Sequence, residues 1–278
     1  MSHFEYKSKA FDGLGIYFQG WKPDGDSKAV ISLVHGLGEH SGRYSQWATF
    51  LNQAGYSVLS SDLRGHGKSE GKRGHSPSFE AFMEDISLLL KETEKQFPGL
   101  PCFLYGHSLG GVLVINFILR RKPQLVGVVV TSPGLRTTIE QQKVKIAIAK
   151  MVGALFPEIS MPTRLDAKAI SRDQEVVTKY VTDPLVHGVA TLAMAKYTLE
   201  ALPWAFEHAG EWTLPLLLMH GEADKIAFVQ GSREFADKVR GKCTLKVWPG
   251  LAHETHNEPE KDLVFAFLKQ WLDDHVVS

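Results

Sequence analysis

Two pentapeptides, GKSEG (Gly67–Gly71) and GHSLG (Gly106–Gly110), share the pattern Gly-x-Ser-x-Gly. That pattern could serve nucleophilic attack by a serine held on a sharp turn, with small neighbours that let the backbone close around it. It is short, and a chain with 25 glycines carries stray copies by chance. Context separates the two. Ser108 follows the apolar run PCFLY and precedes VLVINFILRR, so a strand feeds directly into a helix and the hydroxyl lies at the helix N-terminus. Ser69 lies in DLRGHGKSEGKRGHSPS, which has no apolar run until Phe79, and reads as part of an exposed loop. Its GKS imitates the end of a phosphate-binding loop, but that motif needs glycine where this chain has Asp62.

A nucleophilic serine needs a base, and the base needs a carboxylate to orient it. After LPLLLMHG comes EADK, which presents Asp224, with Glu222 as its rival in the same loop. After CTLKVWPG comes LAHETHNEP, which presents His253 and His256. The order Ser, Asp, His, each after a strand, suits a serine elbow; Asp62 precedes the serine, and Asp183 falls outside the core strands. His253, nearer its strand, is the expected base. The HETH histidines are three apart in a Gly/Pro-flanked loop, whereas a zinc helix needs them four apart on one face, so neither a metal nor another cofactor is expected. Two preorganised N–H donors are needed for a tetrahedral oxyanion. Leu109, after the serine, is one; Leu37, between Gly36 and Gly38 in VHGLGEH, is the other.

The elements that must position these groups follow from periodicity. FEYKSKA and IYFQGW around Asp12-Gly13 read as an N-terminal antiparallel hairpin. The apolar runs AVISLVHG, YSVLSSD, PCFLYGHS, LVGVVVTSP, LPLLLMHG and CTLKVWPG then alternate with helical segments such as Phe79 to Gln96 and Leu109 to Arg121. Strands apolar on both faces imply a mostly parallel sheet covered on both sides, an α/β fold. The alternation fails between about Leu135 and Trp212, which holds Pro157, Pro162, Pro184 and Pro203 and no buried strand. The expected organisation is a core of residues 1–134 and 213–278 with a helical cap inserted at 135–212. Within the cap, Lys143 to Ile159 puts Val144, Ile148, Met151, Val152 and Leu155 on one face, suited to packing on the body, lining an acyl channel or touching a lipid surface.

Composition narrows the partners. Thirty-one basic and 31 acidic residues leave no net field for nucleic acid, so a small or uncharged partner is expected. Cys102 and Cys243 lack zinc or redox spacing and read as reduced thiols in buried strands. The polar N-terminus and the absence of an 18-residue apolar run give an expectation of a soluble, cytoplasmic protein, with peripheral membrane contact through the cap.

Together HGLGEHSGRY, DLRGHGKSEG, GHSLGG, ISRDQEV, TDPL, HGEAD and HETHNE resemble the monoacylglycerol lipase and lysophospholipase branch of the α/β-hydrolases. The likeness runs from about Phe11 to the C-terminal helix. It implies a triad of Ser108, Asp224 and His253 and oxyanion donors at Leu37 and Leu109. It also implies a polar pocket for a glycerol head at Glu39 and Arg43, with His256 and the cap residue Tyr180 beside it. The alternative reading of Glu39 and Arg43 is a salt bridge within their loop. The implied activity is cleavage of monoacylglycerols or similar single-chain lipid esters through an acyl-enzyme. The alternatives are a lysophospholipase or a general carboxylesterase for short-chain or aromatic esters. The related dehalogenases and epoxide hydrolases need a carboxylate where this chain has Ser108, and scaffold members of the fold lack a triad.

Overall fold

The computed structural model describes residues 1–138 and 155–276. Along the chain come β1 (Ser2–Lys9), β2 (Gly15–Lys22), β3 (Ala29–Val34), α1 (Ser45–Gln53), β4 (Tyr56–Ser61), α2 (Phe79–Gln96), β5 (Cys102–His107), α3 (Leu109–Arg121) and β6 (Gly127–Thr131). Then follow β7 (Ser160–Pro162), α4 (Gln174–Thr182), β8 (Val189–Thr191), α5 (Leu192–His208), β9 (Leu216–Gly221), α6 (Val229–Lys238), β10 (Cys243–Trp248) and α7 (Lys261–Val276).

Eight strands form one sheet in the order β1-β2-β4-β3-β5-β6-β9-β10. The hairpin β1–β2 and the β2–β4 ladder are antiparallel, and the remaining ladders are parallel. This is the predicted α/β architecture. Successive strand residues serve opposite faces: Val128 and Val130 join a core with α2, α3, α5 and α6, while Val129 joins one with α1 and α7. Burial on both faces is why these strands read as unbroken apolar runs rather than alternating ones. Cys102 and Cys243 are free thiols, but each opens its strand and is only half-buried. Burial still pushes them up to about 11 and about 12, leaving unreactive neutral thiols.

Between β6 and β9 the chain leaves the sheet. β7 and β8 make a separate two-stranded antiparallel ribbon, with β7 exposed. Residues 143–154 of the expected amphipathic helix lie outside the described residues; of its end, Leu155 is helical and Pro157 stands in a turn, so the helix does not reach Ile159. α5 packs on the body of the protein: Met194, Leu202, Ala205 and Phe206 join the α3 side of the core. Backbone bonds tie this interval to the body, among them Thr191 N to Gly74 O, His187 N to Gly38 O and Glu254 N to Ile170 O, each at 2.8 Å. No helix among the described residues is long and apolar enough to cross a membrane.

Candidate active site

β5 ends at His107 and α3 begins at Leu109, so one residue makes the turn between them. Ser108 makes it at φ 53°, ψ −115°, a conformation that costs a side-chain-bearing residue energy unless its surroundings enforce it. They do. A Cβ at Gly110 would run into the carbonyl oxygens of Val34 and His35, and one at Gly106 into that of Gly110. The glycines therefore let the start of α3 press against the ends of β3 and β5. Ser108 N donates to Thr131 O at 3.0 Å, pinning the turn to β6.

Ser108 Oγ lies 3.0 Å from His253 Nε2, and His253 Nδ1–H donates to Asp224 Oδ2 at 2.7 Å. The loops after β9 and β10 bring the second and third groups together, as the chain order implied. Asp224 Oδ1 accepts the N–H groups of Ile226 and Ala227 at 2.8 and 3.0 Å. Oδ2 also accepts from His220 Nε2–H at 3.1 Å. The Ala227 carbonyl, 2.9 Å from the same nitrogen, can only accept and so keeps the proton on Nε2, leaving Nδ1 to accept from Ser232 Oγ at 2.7 Å. Burial alone would raise the Asp224 carboxyl, but the His253 charge and the two imidazole hydrogen bonds hold it well below the usual range. For His253 burial works downward, and the Asp224 charge and hydrogen bond more than reverse it, with Glu254 and Glu39 adding to the rise. The ring is thus biased towards accepting a proton.

The rivals are occupied elsewhere. Glu222 is exposed, 3.7 Å from Arg233. Asp62 accepts from Ser41 N and Lys68 N, and Asp183 faces His40 Nε2 at 2.9 Å. His256 is buried, stacked on Tyr44 at 4.9 Å, with no hydrogen-bond partner among the described residues. Burial pushes it down to about 4, so it is neutral at pH 7.

Leu37 follows a glycine that lies against Ser108: a Cβ at Gly36 would come within 3.2 Å of Ser108 Cβ and 2.8 Å of Glu39 Oε1. Both ends of Gly36 are held. Its N–H donates to Glu39 Oε1 at 2.6 Å, and its carbonyl accepts from His35 Nδ1–H at 2.8 Å. Leu63 N donates to the other nitrogen of His35 at 2.9 Å, which sets that tautomer. In a trans peptide the Leu37 N–H points opposite to the Gly36 carbonyl, so His35 fixes its direction. Leu109 N–H is the free first donor of α3. Among the described residues neither N–H is given to a protein acceptor.

Arg43 Nη1 donates to Glu39 Oε2 at 2.6 Å, and Nη1 and Nη2 donate to the two oxygens of Glu254 at 2.7 Å each. The Tyr180 ring, on α4, lies over the Arg43 guanidinium at 4.7 Å. Ser69 departs from the expected exposed loop: it is buried, donates to Asp62 O at 2.6 Å and accepts from Tyr17 N at 2.9 Å. Polar loop sequences need not be exposed when their backbone groups find partners inside. His35 and His220 escape a motif search, although each shows the same signal: a lone imidazole ending an apolar strand, immediately before glycine, in SLVHG and LLLMHG.

Residues 25–260 match the Hydrolase_4 family, described as serine aminopeptidase, S33. The chain is 37% identical over 277 residues to a monoacylglycerol lipase of Mycolicibacterium smegmatis, covering 98% of each. It is likewise 37% identical over 259 residues to an uncharacterized abhydrolase domain-containing protein of Dictyostelium discoideum, spanning 27% of that longer protein. Among solved structures, the monoacylglycerol lipase of Paleococcus ferrophilus superposes with a TM-score of 0.84 at 34% identity, covering 99% of this chain and all of that one.

Proposed function

The chain belongs to the monoacylglycerol lipase branch of the α/β-hydrolases, within the Hydrolase_4 family, and from that premise we propose that it cleaves monoacylglycerols to fatty acid and glycerol. It is a serine hydrolase working by two-step acyl transfer. His253 takes the Ser108 proton as Oγ attacks the ester carbonyl, and the developing oxyanion is received by the Leu37 and Leu109 amides. His253 then protonates the departing glycerol oxygen. Water, deprotonated by the same imidazole, attacks the acyl-enzyme and releases the fatty acid. Asp224 holds the ring in the tautomer that presents Nε2 and stabilises the imidazolium. Each oxyanion donor contributes about 3 kcal/mol to the barrier reduction.

The observation supporting these roles is the hydrogen-bonded chain from Ser108 through His253 to Asp224 on a strained strand-to-helix turn. In this reading Tyr180, whose ring lies over the Arg43 guanidinium, overhangs the alcohol side. Leu155, Phe156, Met161 and Val181 are 74%, 58%, 51% and 66% exposed, apolar side chains that a lipid surface could receive. Fatty acid release from monoacylglycerols of increasing chain length tests the reading, with p-nitrophenyl esters of the same acids alongside. Rates that grow with chain length support it; hydrolysis confined to short or aromatic esters would make the protein a general carboxylesterase. A fluorophosphonate probe should label Ser108, and absence of labelling on folded protein would remove the acyl-enzyme.

A further inference from the structure

The oxyanion loop follows β3 and the His253 loop follows β10, and in the sheet β5, β6 and β9 lie between them. No ladder hydrogen bond sets one against the other. Yet the Leu37 N–H and His253 Nε2 must meet across a single ester carbonyl. Tyr44 stacks on His256 between the two loops, and among the described residues the hydrogen-bonded link between them is Arg43. Its guanidinium binds Glu39, whose other oxygen holds the Gly36 N–H at 2.6 Å and the Tyr44 hydroxyl at 2.9 Å. It binds Glu254, the residue after His253, through both carboxylate oxygens. The side chains are 9%, 4% and 4% exposed, so the contacts are shielded from water. Glu39 has little capacity left for a substrate hydroxyl: one oxygen accepts two donors and the other accepts Arg43.

We propose that Arg43 is a positioning residue that clamps the oxyanion loop to the catalytic-histidine loop through Glu39 and Glu254, and so acts on the acyl-transfer step whatever alcohol is leaving. The proposal rests on the acyl-transfer reading above and replaces glycerol-head recognition as the function of this ion cluster. Charge supports it. Two carboxylates with one guanidinium carry a net negative charge beside the ring that becomes imidazolium during reaction. Removing Arg43 would strip the loops of their hydrogen-bonded link and leave His253 facing two uncompensated carboxylates.

The test compares wild type, Arg43→Gln and Arg43→Lys on a long-chain monoacylglycerol and on the p-nitrophenyl ester of the same acid, with active sites counted by fluorophosphonate labelling. For Arg43→Gln, kcat per labelled site should fall on the order of 10²-fold on both esters by the same factor, as for a displaced near-attack geometry, with KM changed less than threefold. Arg43→Lys keeps the charge but loses the planar fork and should fall about tenfold, again equally on both. The acid limb of the kcat/KM profile should move to higher pH in Arg43→Gln, because a cation near His253 is gone. A loss confined to the glycerol ester would overturn the proposal, as would an unmoved acid limb with equal rates per labelled site. If Arg43→Gln does not fold, the Arg43→Lys ratio between the two esters decides. Wild type that cleaves the p-nitrophenyl ester but no monoacylglycerol would sink the substrate reading alone, and the acid limb and the rate per site on that ester would still decide the clamp.

Discussion

In GHSLG the serine stands between a buried strand and a buried helix, at φ 53°, with its hydroxyl 3.0 Å from an imidazole. In GKSEG the serine is the more deeply buried of the two, and its hydroxyl is used up, giving one bond to Asp62 O and receiving one from Tyr17 N. The flanking glycines differ as well. Gly106 and Gly110 are needed because neighbouring backbone leaves no room for a Cβ, whereas Gly67 and Gly71 sit at φ 49° and 104°, with the Asp62 carboxylate also filling the Cβ position at Gly67. Positive φ thus separates the second pair of glycines from the first, and close approach alone does not. A buried hydroxyl becomes a nucleophile only when its proton has somewhere better to go than a carbonyl.

The sharpest break of the comparison is Ser108→Ala, which should lower kcat about 10⁶-fold with the protein still folded and with substrate still bound. Esterase rates on purified protein check it, and a surviving rate would unseat Ser108. Next, Asp224→Asn should lower kcat about 10⁴-fold by favouring the wrong His253 tautomer. It should also move the acid limb of kcat/KM, which in the wild type lies above the ordinary imidazole value of 6.5, to lower pH. Smaller again, His220→Ala removes a hydrogen bond to a charged oxygen, worth about 1.5–3 kcal/mol, so kcat should fall about ten- to a hundredfold. His220→Gln, which keeps an N–H donor, should recover part of that loss; no recovery would limit His220 to filling space.

Stability against pH sharpens the contrast between used and unused histidines. His256, His107 and His66 are buried and neutral, all lowered chiefly by burial. Their ordinary value in the unfolded chain is 6.5, so the unfolded state binds protons first as the pH falls. Tm should therefore be highest above pH 6.5 with respect to these rings and should fall between 6.5 and about 4. Asp224 and Glu254, held low, add a loss only below the carboxylate range, while His253, held high, acts the other way and loses its stabilisation as pH rises through its folded value. A Tm flat from pH 7 to 4 would mean that the buried rings are solvated. The smallest effect on rate belongs to Ser69→Ala. Activity should be unchanged while denaturant unfolding shows a loss of about 1–3 kcal/mol, the cost of leaving the Tyr17 N–H and Asp62 carbonyl unpaired.

Much of this molecule is written in one dimension. Strand β5, the elbow and helix α3 are contiguous, so the apolar run, the glycines and the following helix already single out Ser108. The order and loop position of Asp224 and His253 follow from where two later apolar runs end. The bounds of α2 and α3 are likewise legible, because helix period and capping are local properties. The burial of Ser69 was not legible, since polar composition says nothing about whether a loop's backbone finds partners inside. Nor was the destination of Glu39 and Arg43 at Glu254, some two hundred residues along the chain.

The sequence by itself determined which chemical groups exist and which face or end of an element each occupies, because period and chain order are fixed by covalent geometry. Only the tertiary structure decided which of those groups share a proton or a charge. His220 on Asp224, His35 on the Gly36 carbonyl, and Arg43 between Glu39 and Glu254 all depend on distances of about 3 Å between loops from separate strands. Hydrogen bonds and buried charges fade over an ångström or two, so no pattern of residue types could set them before the sheet brought the loops together.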